Sequence, residues 1–216
     1  MRVKICGVRT VDDALKCAHS GADAIGMLLA RSPRRISIED ARDIARRLPP
    51  FVMPVIVMMP EAASDAIDAA LRVRPGAVQL QGDEPPEMLE RIRRALPGVR
   101  LIKAVHMGEG DELAKARSYE GFADALLLDT MSPNRGGSGV THDWNLSRNI
   151  ISSTKTPVIL AGGLKPSNVA DAIKAARPYA VDVASGVENS DRAKDIELVR
   201  AFIKNAKGAL NGSEFQ

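Results

Sequence analysis

The chain has 216 residues, a formal net charge of +3, and 45% hydrophobic but only 3% aromatic residues. That length suits one α/β domain with a sizeable core, built here mainly of Ala, Val, Ile and Leu. Lys and Arg are scattered among acids, so the mild positive charge fits small anionic ligands and argues against a nucleic-acid partner.

Val3–Gly7 opens the chain as an apolar run ending in Lys4-Ile5-Cys6-Gly7. Thr10 then caps a first amphipathic helix beginning Val11-Asp12-Asp13-Ala14-Leu15. The second run is Ala22–Leu29, followed by Ser32-Pro33-Arg34-Arg35. Ser37 begins the second helix, with Asp40 placed three residues on, close to a capping box. Further apolar runs are Val52–Met59, Ala77–Leu80, Arg100–Val105, Ala123–Asp129, Pro157–Gly162 and Ala180–Ser185. Amphipathic segments separate them. Lys165-Pro166-Ser167-Asn168 is expected to open the seventh helix, with Pro166 in its first turn. The last helix is expected over Asp191–Lys207.

Eight nearly continuous apolar runs read as parallel strands covered on both faces. Eight strand–helix units in this length predict a closed (β/α)8 TIM barrel, a single domain over residues 1–207. Residues 208–216 are expected to be a disordered tail. The one long loop, Thr130–Thr141, is rich in Gly, Ser, Pro and Asn, a length and composition that suit function.

Two cysteines, Cys6 and Cys17, make no disulfide framework. The N-terminal MRVKICGVRT lacks a secretory apolar stretch, so a reduced, cytoplasmic setting is expected. The longest apolar run, Phe51–Pro60, is about half of the roughly 20 residues a spanning helix needs, so no membrane partner is expected. The three histidines and Cys6 have no metal-ligand spacing, and no dinucleotide or phosphate-loop fingerprint is present. No metal or cofactor is expected.

A barrel of this class carries its chemistry at the C-terminal ends of its strands. Ala161-Gly162-Gly163 and Ala184-Ser185-Gly186 end the last two strands, where backbone N–H groups commonly bind phosphate. Asp129 ends an apolar strand, which suits either a general acid of raised pKa or a capping carboxylate. Cys6, beside Lys4, is a base or nucleophile if its pKa is lowered; taken alone it reads as a small buried hydrophobe. Arg34 or Arg35 suits a carboxylate grip or a solvated helix entrance. Gln81 ends strand four, His106 follows strand five, and Asp182 lies in strand eight, where it suits an anchor in the barrel.

These residues together resemble the phosphoribosylanthranilate isomerases. The carriers begin with Lys4-Ile5-Cys6-Gly7, Gly21-Ala22-Asp23-Ala24-Ile25-Gly26, Ser32-Pro33-Arg34 and Val78-Gln79-Leu80. They continue with Leu126-Leu127-Leu128-Asp129-Thr130, and Gly136-Gly137-Ser138-Gly139 running on to Asp143-Trp144. The last are Ala161-Gly162-Gly163-Leu164, Pro166, Asn168-Val169, and the stretch from Val181 to Glu188. The resemblance runs to about Lys207. It implies a cofactor-free Amadori rearrangement of a small phosphorylated substrate, by a monomer or homodimer. It further implies Asp129 as general acid, Cys6 as general base and Arg34 as the grip on the substrate carboxylate. Gly163, Ser185 and Gly186 would cradle the phosphate, while the loop with Gly137 would approach or close over the substrate. Lys4, Gln81, Gly162 and Asp182 complete the expected substrate-binding set. Gln81 departs from the family's usual His, Arg35 from Tyr, and Ala184 from Ser.

Related phosphate-binding lyases lack the Lys-Ile-Cys-Gly start, and the histidine-pathway isomerase would use two aspartates. A barrel that merely binds a ligand would have little reason to hold Cys6 and Asp129 at separate strand ends.

Overall fold

A computed structural model of the chain describes residues 1–108, 110–130 and 143–210. Its first half comprises β1 (Arg2–Cys6), α1 (Val11–His19), β2 (Ala24–Leu28), α2 (Ile38–Arg47), β3 (Met53–Met58), α3 (Ala63–Val73), β4 (Ala77–Leu80) and α4 (Pro86–Ala95). The second half comprises β5 (Arg100–Met107), α5 (Glu112–Ser118), β6 (Ala125–Thr130), α6 (Trp144–Ser153), β7 (Val158–Leu160), α7 (Val169–Ala176), β8 (Ala180–Val183) and α8 (Ile196–Gly208). The strands form a closed parallel barrel in chain order, as the alternation predicts. Closure is made by β1 and β8, with Lys4 opposite Asp182. No helix among the described residues is long and apolar enough to cross a membrane.

Strand residues alternate between two cores. Val3, Ile5, Val78, Leu80, Leu126 and Leu128 face the helices. Val55, Ala77, Ile102, Ala104, Leu127, Ile159, Ala161 and Ala180 fill the barrel interior. Four of these eight are alanine, set among Val, Ile and Leu, so side chains of mixed size fill the narrow interior.

Helix starts follow local capping chemistry. Thr10 accepts a hydrogen bond from the Asp13 N–H, and Ser37 accepts one from the Asp40 N–H while bonding the Asp40 carboxylate. Two starts differ from expectation. Pro166 precedes α7 in a turn of its own, closed by the Lys165 N–H on Asn168 Oδ1 and the Asn168 N–H on the Lys165 carbonyl. Asp191 does not open α8. Asn189 Oδ1 accepts from the N–H groups of Asp191 and Ala193, Arg192 adopts φ 58°, and the helix begins only after Asp195 caps it. The helix also runs one residue past Lys207, to Gly208. His106 lies within β5 rather than after it. Gly137 and most of the Thr130–Thr141 loop fall outside the described residues, as does the tail from 211.

Candidate active site

At the C-terminal ends of the strands lies a cavity of about 880 Å³. Eight of the predicted residues line it: Cys6, Arg34, Gln81, Asp129, Gly162, Gly163, Asp182 and Ser185. The two-residue period of the strands accounts for most of them. With Ala77, Leu127 and Ala180 facing inward, Gln79 and Gln81, Asp129 and Asp182 must face inward too. Arg34 lines the cavity and Arg35 is not among its lining residues.

Lys4 and Gly186 stand behind the wall. Lys4 is 3% exposed, one inward step before Cys6, with Nζ 3.0 Å from Asp182 Oδ2. A side chain at Gly186 would collide with the Leu164 carbonyl, so this position must be glycine for the backbone to pass. The preceding turn adopts φ 80° at Gly162 and 64° at Gly163, and there a Cβ on Gly162 would strike Thr130. Among the described residues, no protein acceptor receives the N–H groups of Gly162, Gly163, Ser185 or Gly186. Four N–H donors from two adjacent strand ends fit an anion.

The charged groups interact in two clusters. In the first, burial and the charge of Asp182 push the Asp129 carboxyl up to about 6, against the opposing pull of His106, Gln81 and Lys4. Burial also pushes the Cys6 thiol above its ordinary range, and Lys4 only partly offsets this. The lowered thiol that a neighbouring lysine suggests is therefore not what the structure has, because desolvation of the thiolate outweighs one ammonium already shared with Asp182. Burial alone would lower Lys4; Asp182 and Cys6 beside it hold it above the usual lysine value.

In the second cluster, Glu188 accepts from Arg34 Nε and Nη2, both at 2.7 Å, and from Lys194 Nζ at 2.7 Å. Burial would raise Glu188, but the two cations hold it below the usual carboxylate range. Glu188 takes one edge of the guanidinium and leaves the Nη1 side for another anion. Gly7 lies under this side chain, where a Cβ would come within 2.6 Å of Arg34 Cδ.

His106 is not among the residues lining the cavity. Its Nε2 is 2.9 Å from the Gln81 carbonyl oxygen, and it is 6% exposed. Sequence reasoning missed Glu188, Lys194, Gln79 and Gly26 as members of the site. Gly26 had a signal, a glycine inside a strand. It pairs with Cys6, and a Cβ there would lie 2.7 Å from Cys6 Sγ and 3.1 Å from Lys4 Cε.

A family model described as N-(5'phosphoribosyl)anthranilate (PRA) isomerase matches residues 3–205. The N-(5'-phosphoribosyl)anthranilate isomerase of Methanocella arvoryzae is 61% identical over 208 residues, covering 95% of this chain and 98% of that protein. A crystal structure of phosphoribosyl anthranilate isomerase in complex with reduced 1-(o-carboxyphenylamino)-1-deoxyribulose 5-phosphate aligns with a TM-score of 0.84 at 41% identity, covering 96% of this chain and 99% of that one. Mutually generated monomers of the dimeric enzyme from Thermotoga maritima align with a TM-score of 0.84 at 40% identity and the same coverage. The chain belongs to the N-(5'-phosphoribosyl)anthranilate isomerase family.

Proposed function

We propose that this chain catalyses the Amadori rearrangement of N-(5-phosphoribosyl)anthranilate to 1-(o-carboxyphenylamino)-1-deoxyribulose 5-phosphate, by general acid–base catalysis and without a cofactor. The observation that carries the reading is one cavity lined by Asp129, Cys6, Arg34 and two glycine-bearing strand ends. The substrate has a phosphate at one end and a carboxylate at the other. The N–H groups of Gly163, Ser185 and Gly186 receive the phosphate, and the Nη1 side of Arg34 receives the carboxylate. Gly137 belongs to the loop expected to approach the substrate.

Asp129 gives its proton to the furanose ring oxygen. The C1′–O bond breaks as the nitrogen lone pair forms a C1′=N⁺ iminium. Cys6 then removes the C2′ proton, and the C–H electrons form the C1′=C2′ bond while neutralising the nitrogen. The resulting enol amine takes a proton at C1′ while its C2′ hydroxyl loses one, and so becomes the C2′ ketone. The iminium supplies what the resting site lacks. A new positive charge beside the thiol favours the thiolate at the step that needs it, and Lys4 adds to that field. Both free cysteines are buried, which suits a reducing, cytoplasmic compartment.

The test is fluorescence loss from phosphoribosylanthranilate generated in situ. Turnover at about 1–10³ s⁻¹ is expected, the usual span for enzymes. Folded protein that leaves the emission unchanged overturns the reading.

A homodimer through the opposite end of the barrel belongs to the same reading. There Phe51 is 98% exposed, with Met53 at 41% and Tyr179 at 46%, around a second cavity of about 500 Å³. Such an apolar rim suits a partner surface, and the T. maritima relative is dimeric. Sedimentation is expected to give a dimer, and Phe51→Asp is expected to shift it to monomer while keeping turnover, since the catalytic mouth is at the other end. A wild-type monomer at micromolar concentration rules the dimer out.

A further inference from the structure

Gln79 and Gln81 project from one face of the strand-four segment, two residues apart, and are 2% and 7% exposed. Gln79 Nε2 donates to Gln81 Oε1 at 2.7 Å, and Gln81 Nε2 donates to Asp129 Oδ2 at 3.0 Å. His106 Nε2 holds the Gln81 backbone carbonyl at 2.9 Å. The Asp129 carboxyl therefore sits at the end of a directed chain of amides.

The direction matters because a carboxyl proton can sit on either oxygen. An ionised carboxylate only accepts, so it needs the NH₂ side of Gln81. A protonated one tolerates either side. Were Gln81 to turn its Oε1 toward Asp129, the carboxyl would donate its proton from Oδ2 into that wall contact. The proton would then be spent on the amide and not offered to the cavity. Nothing intrinsic to Gln81 prevents the turn, since the two ends of an amide are nearly the same size. Gln79 opposes it: with Gln79 Nε2 facing Gln81 at 2.7 Å, the turned Gln81 would set NH₂ against NH₂.

Gln79 itself is matched on its donor side only. Its Oε1 is buried without a hydrogen-bond partner. A buried unmatched acceptor costs about 1–3 kcal/mol, which an apolar side chain of similar size would avoid.

We infer that Gln79 is a positioning residue for the reaction: by biasing the Gln81 amide it keeps Asp129 Oδ2 an acceptor and assigns the acidic proton to Oδ1, the oxygen that Gln81 does not hold. The inference rests on Asp129 as the general acid.

Steady-state kinetics of four proteins test it: wild type, Gln79→Leu, Gln81→Leu and the double variant. Gln79→Leu is expected to lower kcat about tenfold with KM little changed, since a small misplacement at a reacting group costs one to two orders of magnitude. In the Gln81→Leu background the same change is expected to do nothing, because the amide it orients is gone. A structural role for Gln79 predicts equal losses in both backgrounds, and that result overturns the inference. A rise in KM alone also overturns it, by making Gln79 Oε1 a direct contact to a substrate hydroxyl. Gln79→Glu guards against poor folding of the Leu variant. A glutamate at 79 only accepts, so it turns Gln81 around, and kcat is expected to fall about a hundredfold. Unchanged kcat in Gln79→Glu overturns the inference as well. If Asp129→Asn keeps its kcat, the acid assignment fails first. If Asp129→Asn collapses while the Gln79 variants stay active, this inference alone fails.

Discussion

Asp129→Asn is expected to lower kcat by about 10²–10⁴-fold, the contribution of a well-placed general acid, with KM little affected. Asparagine keeps the shape and can still accept from Gln81 Nε2, but it has no proton to give the ring oxygen. Stability is expected to move the other way. An acid whose folded pKa lies above its unfolded value weighs against the fold wherever it is ionised. For Asp129 the penalty begins above the ordinary carboxylate pKa, grows as pH rises, and is complete above about 6. Removing the charge relieves it, so the thermal midpoint of Asp129→Asn at pH 8 should rise by a few degrees. Kinetics and calorimetry on the same sample check both. Loss of activity with loss of stability would assign Asp129 a structural role instead.

The barrel was legible because its two periods are written along the chain. Runs such as Leu126-Leu127-Leu128 carry apolar side chains to both faces, and only a strand covered on both sides uses them. The site was legible where a polar residue closes such a run, as Asp129 does. It was less so where function depends on distant partners. Glu188 lies 154 residues from Arg34 in sequence, and nothing local announces that it fixes one edge of that guanidinium. The Gln79–Gln81–Asp129 chain likewise spans two strands, and a glutamine in a buried strand gives no direction to its amide. Helix starts were misread where side-chain turns compete with the helix, at Asn168 and at Asn189. The pKa of Cys6 was left open in the sequence for a related reason. Sequence shows the lysine two residues away, but not the depth of burial or the Asp182 carboxylate across the β1–β8 seam that shares that lysine.

Cys6 carries the other large expected effect, and the pH dependence of kcat/KM separates its role from that of Asp129. The reacting form needs a protonated Asp129 and a deprotonated Cys6. In the resting site the carboxyl titrates near 6, while the thiol stays above its ordinary range of about 9. The competent pair is thus a minor form in which the two protons are exchanged. Its population rises tenfold per pH unit up to about 6, because Asp129 is still fully protonated while the thiolate grows. It then stays level, as each further gain in thiolate is matched by a loss of protonated Asp129, and falls once the thiol itself has titrated. The expected profile is a broad bell with its acid limb near pH 6 and its alkaline limb beyond 9. Lys4, Asp182 and Lys194 face the thiol, and Asp182, His106, Gln81 and Lys4 face the carboxyl, so neither limb falls at the free-amino-acid value. Cys6→Ser is expected to lower kcat about 10²–10⁴-fold, because a hydroxyl in the same place is several pKa units weaker as an acid and forms almost no alkoxide. Asp129→Asn should erase the limb near 6 from whatever activity remains. A wild-type profile with no limb between pH 5 and 7 would falsify the pairing of these two groups, and a Cys6→Ser variant of normal kcat would move the base elsewhere in the cavity.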